Sequence, residues 1–323
     1  MTEQGQVAAG FFGSVDEVAA RLAEVGYLAS PAVATTVYLA DRLGKPLLVE
    51  GPAGVGKTEL AKAVGRVGAA PLTRLQCYEG IDESRALYEW NHAKQLLRIT
   101  AGREATGTED PAGGSAGGWD ATRDDIFSEE FLLARPLLTA IRRTEPSVLL
   151  IDEIDKADVE VEALLLEVLS DFQITVPELG TVEATHRPFV VLTSNASREL
   201  SEALRRRCLF LHLDYPDTEL ELRIVRLQVP GLDEVLADSV VRTVVALRAL
   251  GLRKAPSVAE TVDWARTLLT LGADTLDERV VRESLGVVLK HQDDVVKATE
   301  KLITEATVAT GNARTVVHRP AAD

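Results

Sequence analysis

Along the chain, short runs that are apolar at nearly every position alternate with longer stretches in which apolar residues recur every three or four positions. The first pattern suits a strand buried on both faces, the second an amphipathic helix. Residues 14 to 43 read as two such helices broken at Ser30-Pro31, with Val15, Val18, Leu22 and Val25 spaced for one face of the first. Pro46–Glu50 is then a short apolar run ending at a glycine-rich turn, and Thr58–Val67 carries helical spacing, so strand, loop and helix follow in order. Leu72–Cys77, Val148–Ile151, Phe189–Thr193 and Cys208–Leu213 repeat the strand signal between helical stretches. This alternation predicts an α/β domain, a parallel sheet sandwiched by helices.

From Thr218 onward the strand signal stops, and Leu220–Leu227, Val235–Leu250, Val258–Leu271 and Arg279–Leu289 all carry helical periodicity. The expected organisation is a helical lead-in over 1–30, the α/β domain over 31–229, a smaller all-helical domain over 230–312 beginning near Pro230-Gly231, and a tail over 313–323. Two segments interrupt the pattern. Residues 104–122 hold Gly107, Gly113, Gly114, Gly117 and Gly118 with Pro111 and Ser115, a composition that cannot bury a core. They read as a mobile insertion, either a plain flexible loop or one that meets a partner through Trp119. Phe172–Val176 and Thr181–Thr185 alternate like strands joined through Pro177-Glu178-Leu179-Gly180, a hairpin signature.

Composition narrows the class. The 323 residues are 46% hydrophobic and 26% charged, proportions of an ordinary globular protein with room for two domains. Fifty acidic against 35 basic side chains leave a formal charge of -15, which disfavours nonspecific binding to nucleic-acid phosphates. No basic stripe offsets it, the densest run being Arg205-Arg206-Arg207. Cys77 and Cys208 show neither CxxC spacing nor a neighbouring histidine, so they read as small buried apolar residues rather than zinc ligands. The first ten residues lack the basic and apolar regions of a signal peptide, and no apolar run approaches the roughly 18 residues that cross a bilayer. A cytoplasmic protein with no membrane span is expected.

The candidate chemistry begins at Gly51-Pro52-Ala53-Gly54-Val55-Gly56-Lys57-Thr58, a full G-x-x-x-x-G-K-[ST] match set between a strand and a helix. Its glycines let successive N–H groups converge on phosphate oxygens, and the positive end of the helix starting near Gly56 faces the same anion. Lys57 is expected on the β- and γ-phosphates and Thr58 on magnesium, with Glu59 next to them on the nucleotide side. Val148–Glu153 then ends an apolar run in two carboxylates, Asp152 lying 95 residues beyond Lys57. Asp152 is expected to hold magnesium through its water, and Glu153 to polarise the water that attacks the γ-phosphate. That favours ATP hydrolysis over phosphoryl transfer to a small molecule, and the lack of an N-K-x-D motif argues against GTP. A third run, Phe189–Thr193, leads to Asn195, an amide able to hold the attacking water.

In this order the elements resemble AAA+ ATPases, with Gly51–Thr58 as Walker A, Val148–Glu153 as Walker B and Asn195 as sensor 1. Leu75-Gln76-Cys77-Tyr78-Glu79-Gly80 and Leu164–Val176 look like the MoxR group, and Phe127–Leu133, Leu169–Gln173 and Ala203–Cys208 look closer still to its CoxD-like branch. The resemblance implies a P-loop NTPase sheet with a helical lid, Mg-dependent ATP hydrolysis, and a hexameric ring with each nucleotide at a subunit boundary. In such a ring Arg207, with Arg206 close behind, is the expected arginine finger. The family's second sensor, an arginine after a proline, is replaced here: Arg253-Lys254-Ala255-Pro256-Ser257 puts Ser257 at that position, with Lys254 or Arg253 as substitutes. The hairpin corresponds either to one that lies toward the ring's pore or to an edge ribbon. The branch further implies a partner with a von Willebrand factor A domain and a client such as molybdenum-containing carbon monoxide dehydrogenase, matured by chaperone-like remodelling. A nucleic-acid motor or loader is the rival reading, and a nucleotide-gated scaffold with little turnover a third.

Overall fold

A computed structural model describes residues 10–106 and 125–301, those of 102–106 by backbone alone. The glycine-rich insertion from residue 107 on, Trp119 with it, and the tail lie outside the described residues. Two helices open the fold, Val15–Glu24 and Pro31–Leu43, each started by a serine whose side chain accepts a backbone N–H: Ser14 from Glu17 and Ser30 from Val33. Pro31 sits at the first helical turn, where its missing N–H costs nothing.

All five strands expected for the main sheet are present, as β1 (Leu47–Glu50), β2 (Leu72–Gln76), β5 (Val148–Asp152), β8 (Phe189–Ser194) and β9 (Leu209–His212). They pair in the order β2-β5-β8-β1-β9, every pairing parallel. The central strands β5 and β8 are buried along their whole length, which explains their continuous apolar runs. One large core cluster covers the sheet with Leu137, Leu138, Leu149, Ile151, Leu165 and Leu192 among its members. The hairpin is β6 (Gln173–Val176) with β7 (Gly180–Glu183), antiparallel from Gln173 opposite Glu183. A second ribbon was not legible in the sequence. Here β3 (Tyr88–Trp90) pairs with β4 (Leu132–Ala134), two strands of three residues that are too short to show periodicity.

Among the described residues two compact units are present. One runs to Gly51 and from Lys57 to His212; the other takes Pro52–Gly56 and the residues from Leu213. The helical unit holds Thr218–Gln228, Glu234–Arg248, Val258–Leu271 and Glu278–Val288, capped by Asp217, Asp233, Ser257 and Asp277. Its core includes Val225 and Val229, so the helix before Pro230 belongs to it, and the unit starts earlier in the chain than 230. Composition marks a turn at Pro230-Gly231, but the apolar face of Thr218–Gln228 decides which core that helix joins.

Candidate functional site

Parallel strands all end on one side of a sheet, and ligands in open α/β folds bind outside those carboxyl ends. β8 lies between β5 and β1. Its end therefore stands between the acid pair closing β5 and the glycine-rich loop that follows β1.

Lys57 is the first residue of the helix Lys57–Val67 and only 6% exposed. Its Nζ donates to the Gly51 carbonyl at 2.6 Å and to Asn195 Oδ1 at 2.9 Å. Thr58 Oγ1 donates to Asp152 Oδ1 at 3.0 Å. The expected site residues thus form two bonded groups, Lys57 with Asn195, and Thr58 with Asp152 and, through Thr193, Glu153: the Thr193 hydroxyl donates to Asp152 Oδ1 and accepts the Glu153 N–H at 2.9 Å. Burial pushes the Lys57 ammonium below the ordinary lysine value, while the charges of Asp155, Asp152 and Glu153 pull it back up. A triphosphate beside it would pull the same way.

The backbone at Glu153 adopts φ 58, ψ 48, a left-handed conformation that costs a non-glycine residue of order 1 kcal/mol and tends to persist where surroundings enforce it. Glu153 Oε2 accepts from Gln76 Nε2 at 2.9 Å and from Lys156 Nζ at 2.6 Å. Arg74, two residues before Gln76 on β2, donates to Asp152 Oδ2 from Nε at 3.0 Å and Nη2 at 2.6 Å. Asp155, buried just past β5, accepts from the backbone N–H groups of Asn195 and Ser197 at 3.2 and 3.0 Å and from the Ser197 hydroxyl at 2.6 Å. Burial alone would raise its pKa, but these bonds outweigh it and hold the carboxyl below the ordinary aspartate value. It thereby ties the turn after β5 to the turn carrying Asn195, where Ala196 sits at φ 56. Arg74, Gln76, Asp155 and Thr193 escaped the sequence reading. Arg74 and Gln76 do carry a signal, two long polar residues two apart on the strand Leu72–Gln76.

The remaining expected residues have partners of their own. Glu59 pairs with Arg66 at 2.6 Å and Lys62 at 3.8 Å on its own helix. Of the three arginines on the helix Glu202–Arg207, Arg205 has a local anion, Glu50 at 2.7 Å. Arg206 is exposed and paired with Glu202 one turn back, and Arg207 donates from Nε to Ser170 Oγ at 2.7 Å. Within the second unit, Ser257 caps Val258–Leu271 in a capping box with Glu260, and Ala259 N–H donates to the Gly54 carbonyl at 3.3 Å. Gly54, at φ 75, lies so near Ser257 that a Cβ there would meet its Oγ at 2.3 Å. Pro52, Ala53, Val55 and Gly56 complete the loop, and Lys254 Nζ pairs with Glu260 at 3.2 Å. Both cysteines are free thiols pushed up to about 12 by burial, in keeping with an apolar role.

The donor set fits a magnesium nucleotide. Thr58 and Asp152 present hard oxygens 3.0 Å apart, and Mg²⁺ characteristically takes one or two such protein ligands plus substrate phosphates. Among the described residues no group of three or more His, Cys, Asp or Glu side chains forms a metal cage of its own.

A parallel sheet with a glycine-rich phosphate loop at the end of β1 and an acid pair at the end of β5 defines a P-loop nucleotide hydrolase. Residues 47–213, a little over half of the chain, match the ATPase family associated with various cellular activities (AAA), and the chain belongs to that family of ATP hydrolases. It is 34% identical over 145 residues to the chaperone protein ClpB 2 of Parasynechococcus marenigrum, a stretch covering 45% of this chain and 13% of that one. An uncharacterized protein of Staphylococcus epidermidis is 25% identical over 238 residues, covering 71% of this chain and 78% of its own. Among solved structures, a RuvB point mutant of Thermotoga maritima is similar at a TM-score of 0.45 and 19% identity, over 85% of this chain and 70% of that one.

Proposed function

We propose that the protein is a Mg-dependent ATPase of the MoxR group, nearest its CoxD-like branch, that works in the cytoplasm as a hexameric ring and remodels a client protein. One observation carries the nucleotide chemistry: Lys57, Thr58, Asp152, Glu153 and Asn195, drawn from three separate strand ends, converge through bonds of about 3 Å. Main-chain N–H groups from Ala53 to Thr58 bind the β- and γ-phosphates, and Lys57 neutralises them. Thr58 and Asp152 hold magnesium, which when bound offsets charge on the phosphate oxygens. Glu153 orients and takes the proton of the attacking water, while Asn195 fixes that water against the γ-phosphate. Arg207, with Arg206, reaches the neighbouring subunit's nucleotide. Ser257 takes the second-sensor position, since its hydroxyl meets Gly54, whereas Lys254 faces Glu260.

The likeness to a chaperone over 145 residues supports the remodelling role. The client is read as a molybdenum-containing metalloenzyme such as carbon monoxide dehydrogenase, reached with a von Willebrand factor A domain partner; the segments 127–133, 169–173 and 203–208 support this branch. Among the described residues no helix is long and apolar enough to cross a membrane. Affinity capture from native cells with Glu153→Gln, which retains ATP, tests the reading. Recovery of a molybdoenzyme or its accessory proteins is expected, and recovery of nucleic acid in their place would overturn it. Lys57→Ala should abolish ATP binding in an equilibrium assay; unchanged binding would defeat the phosphate assignment.

A further inference from the structure

Side chains two apart on a strand share a face, so β2 presents Arg74 and Gln76 together toward the end of β5. Arg74 reaches Asp152 through two donors: Nε and Nη2 both donate to Oδ2, at 3.0 and 2.6 Å. Asp152 is 4% exposed in its side chain, against 48% for Arg74, so a buried carboxylate is ion-paired to a half-exposed guanidinium. The other oxygen, Oδ1, is already fixed by the hydroxyls of Thr58 and Thr193. Oδ1 is therefore held without Arg74, which acts on Oδ2.

Resting on the reading of Asp152 as the magnesium-side acid, we infer that Arg74 is a positioning residue that sets how tightly this site takes a divalent cation, by competing with it for Asp152 Oδ2. A guanidinium bonded to a carboxylate offsets part of its negative field and repels a second cation there. A divalent ion experiences the same field with twice the charge, so removing the guanidinium raises its affinity by about ten-fold or more. Arg74 also bonds to Gln76, which holds Glu153, so the arginine that tempers the metal is linked to the residue gripping the hydrolytic acid.

The test is Mn²⁺ binding, followed by electron paramagnetic resonance in the presence of ATPγS, for the full chain and for Arg74→Ala, Arg74→Lys and Asp152→Asn. Arg74→Ala is expected to bind Mn²⁺ about ten-fold tighter, with Arg74→Lys between it and the parent, and the Mg²⁺ concentration for half-maximal turnover should fall in the same order. Thermal melting of each variant, together with the Lys rescue, separates this from loss of fold. Unchanged or weaker Mn²⁺ binding in Arg74→Ala, with Asp152→Asn still defective, overturns the inference and leaves the reading of Asp152 standing. Mn²⁺ binding by Asp152→Asn equal to the parent's overturns both.

Discussion

Glu153 combines two features at one residue, a left-handed backbone and a carboxylate gripped by Gln76 and Lys156. Replacing the carboxylate by an amide keeps its shape and removes its basicity. Glu153→Gln is therefore expected to bind ATP normally and to lose turnover by about 10² to 10⁴-fold, the usual contribution of a positioned base; phosphate release at the parent's rate would contradict the role. Asp155 makes a prediction about pH. Its folded pKa lies below the ordinary 3.8, so the charged form contributes stability that is full above that value and is lost as pH falls through the folded one. Asp155→Asn should cost about 1 to 3 kcal/mol at neutral pH, the cost of disturbing bonds to a charged buried group. Chemical denaturation at pH 7 and near pH 3 checks this: the gap between parent and variant should narrow at the acid end, and a constant gap would dismiss the carboxylate as the cause.

Helices of the second unit are joined by a buried ion pair as well as by apolar packing. Arg248, at the end of Glu234–Arg248, clamps Glu221 of Thr218–Gln228, with Nη2 to Oε1 at 2.7 Å, and donates from Nε to the Pro256 carbonyl at 2.7 Å. Thr261 adds a hydroxyl to Glu221 at 2.7 Å, and the Arg248 guanidinium lies 4.5 Å from the Tyr215 ring centroid. Glu221 is fully buried, and Arg248 is the cation bonded to it. Arg248→Ala is expected to destabilise by about 3 to 5 kcal/mol, because it leaves an uncompensated charge, whereas replacing both residues with apolar ones of similar volume should cost far less. Urea titration of single and double variants measures the difference. Additive costs would show that the two side chains act independently. Because Arg248 also holds Pro256, beside the cap Ser257, the pair links stability of the helical unit to the residue nearest Gly54.

At the scale of the whole molecule the question is what the arginines on Glu202–Arg207 reach. Glu50 accounts for Arg205, while Arg206 and Arg207 are exposed. In the proposed ring, Arg207→Ala retains ATP binding and loses about 10³-fold or more in rate, the range seen for arginine fingers. Mixing it with Glu153→Gln gives a sharper result. Each variant is slow alone, but a ring placing an intact Arg207 against an intact Glu153 regains turnover. A mixture no faster than its components would place the finger elsewhere or remove the shared site.

The sequence by itself determined the five parallel strands, the phosphate loop, the acid pair and four helices of the second unit. These follow from local physics: continuous apolar runs for strands buried on both faces, a period near 3.6 for helices, and fixed spacing where one loop must wrap one phosphate. Only the tertiary structure decided which strands are neighbours, and hence that Asn195 meets Lys57, Arg74 meets Asp152 and Gln76 meets Glu153. It also decided that Arg205 answers to Glu50 and Glu59 to Arg66. The physical reason is range: a strand's burial is written in its own residues, whereas an ion pair between residues 78 positions apart, such as Arg74 and Asp152, exists only after β2 and β5 have paired.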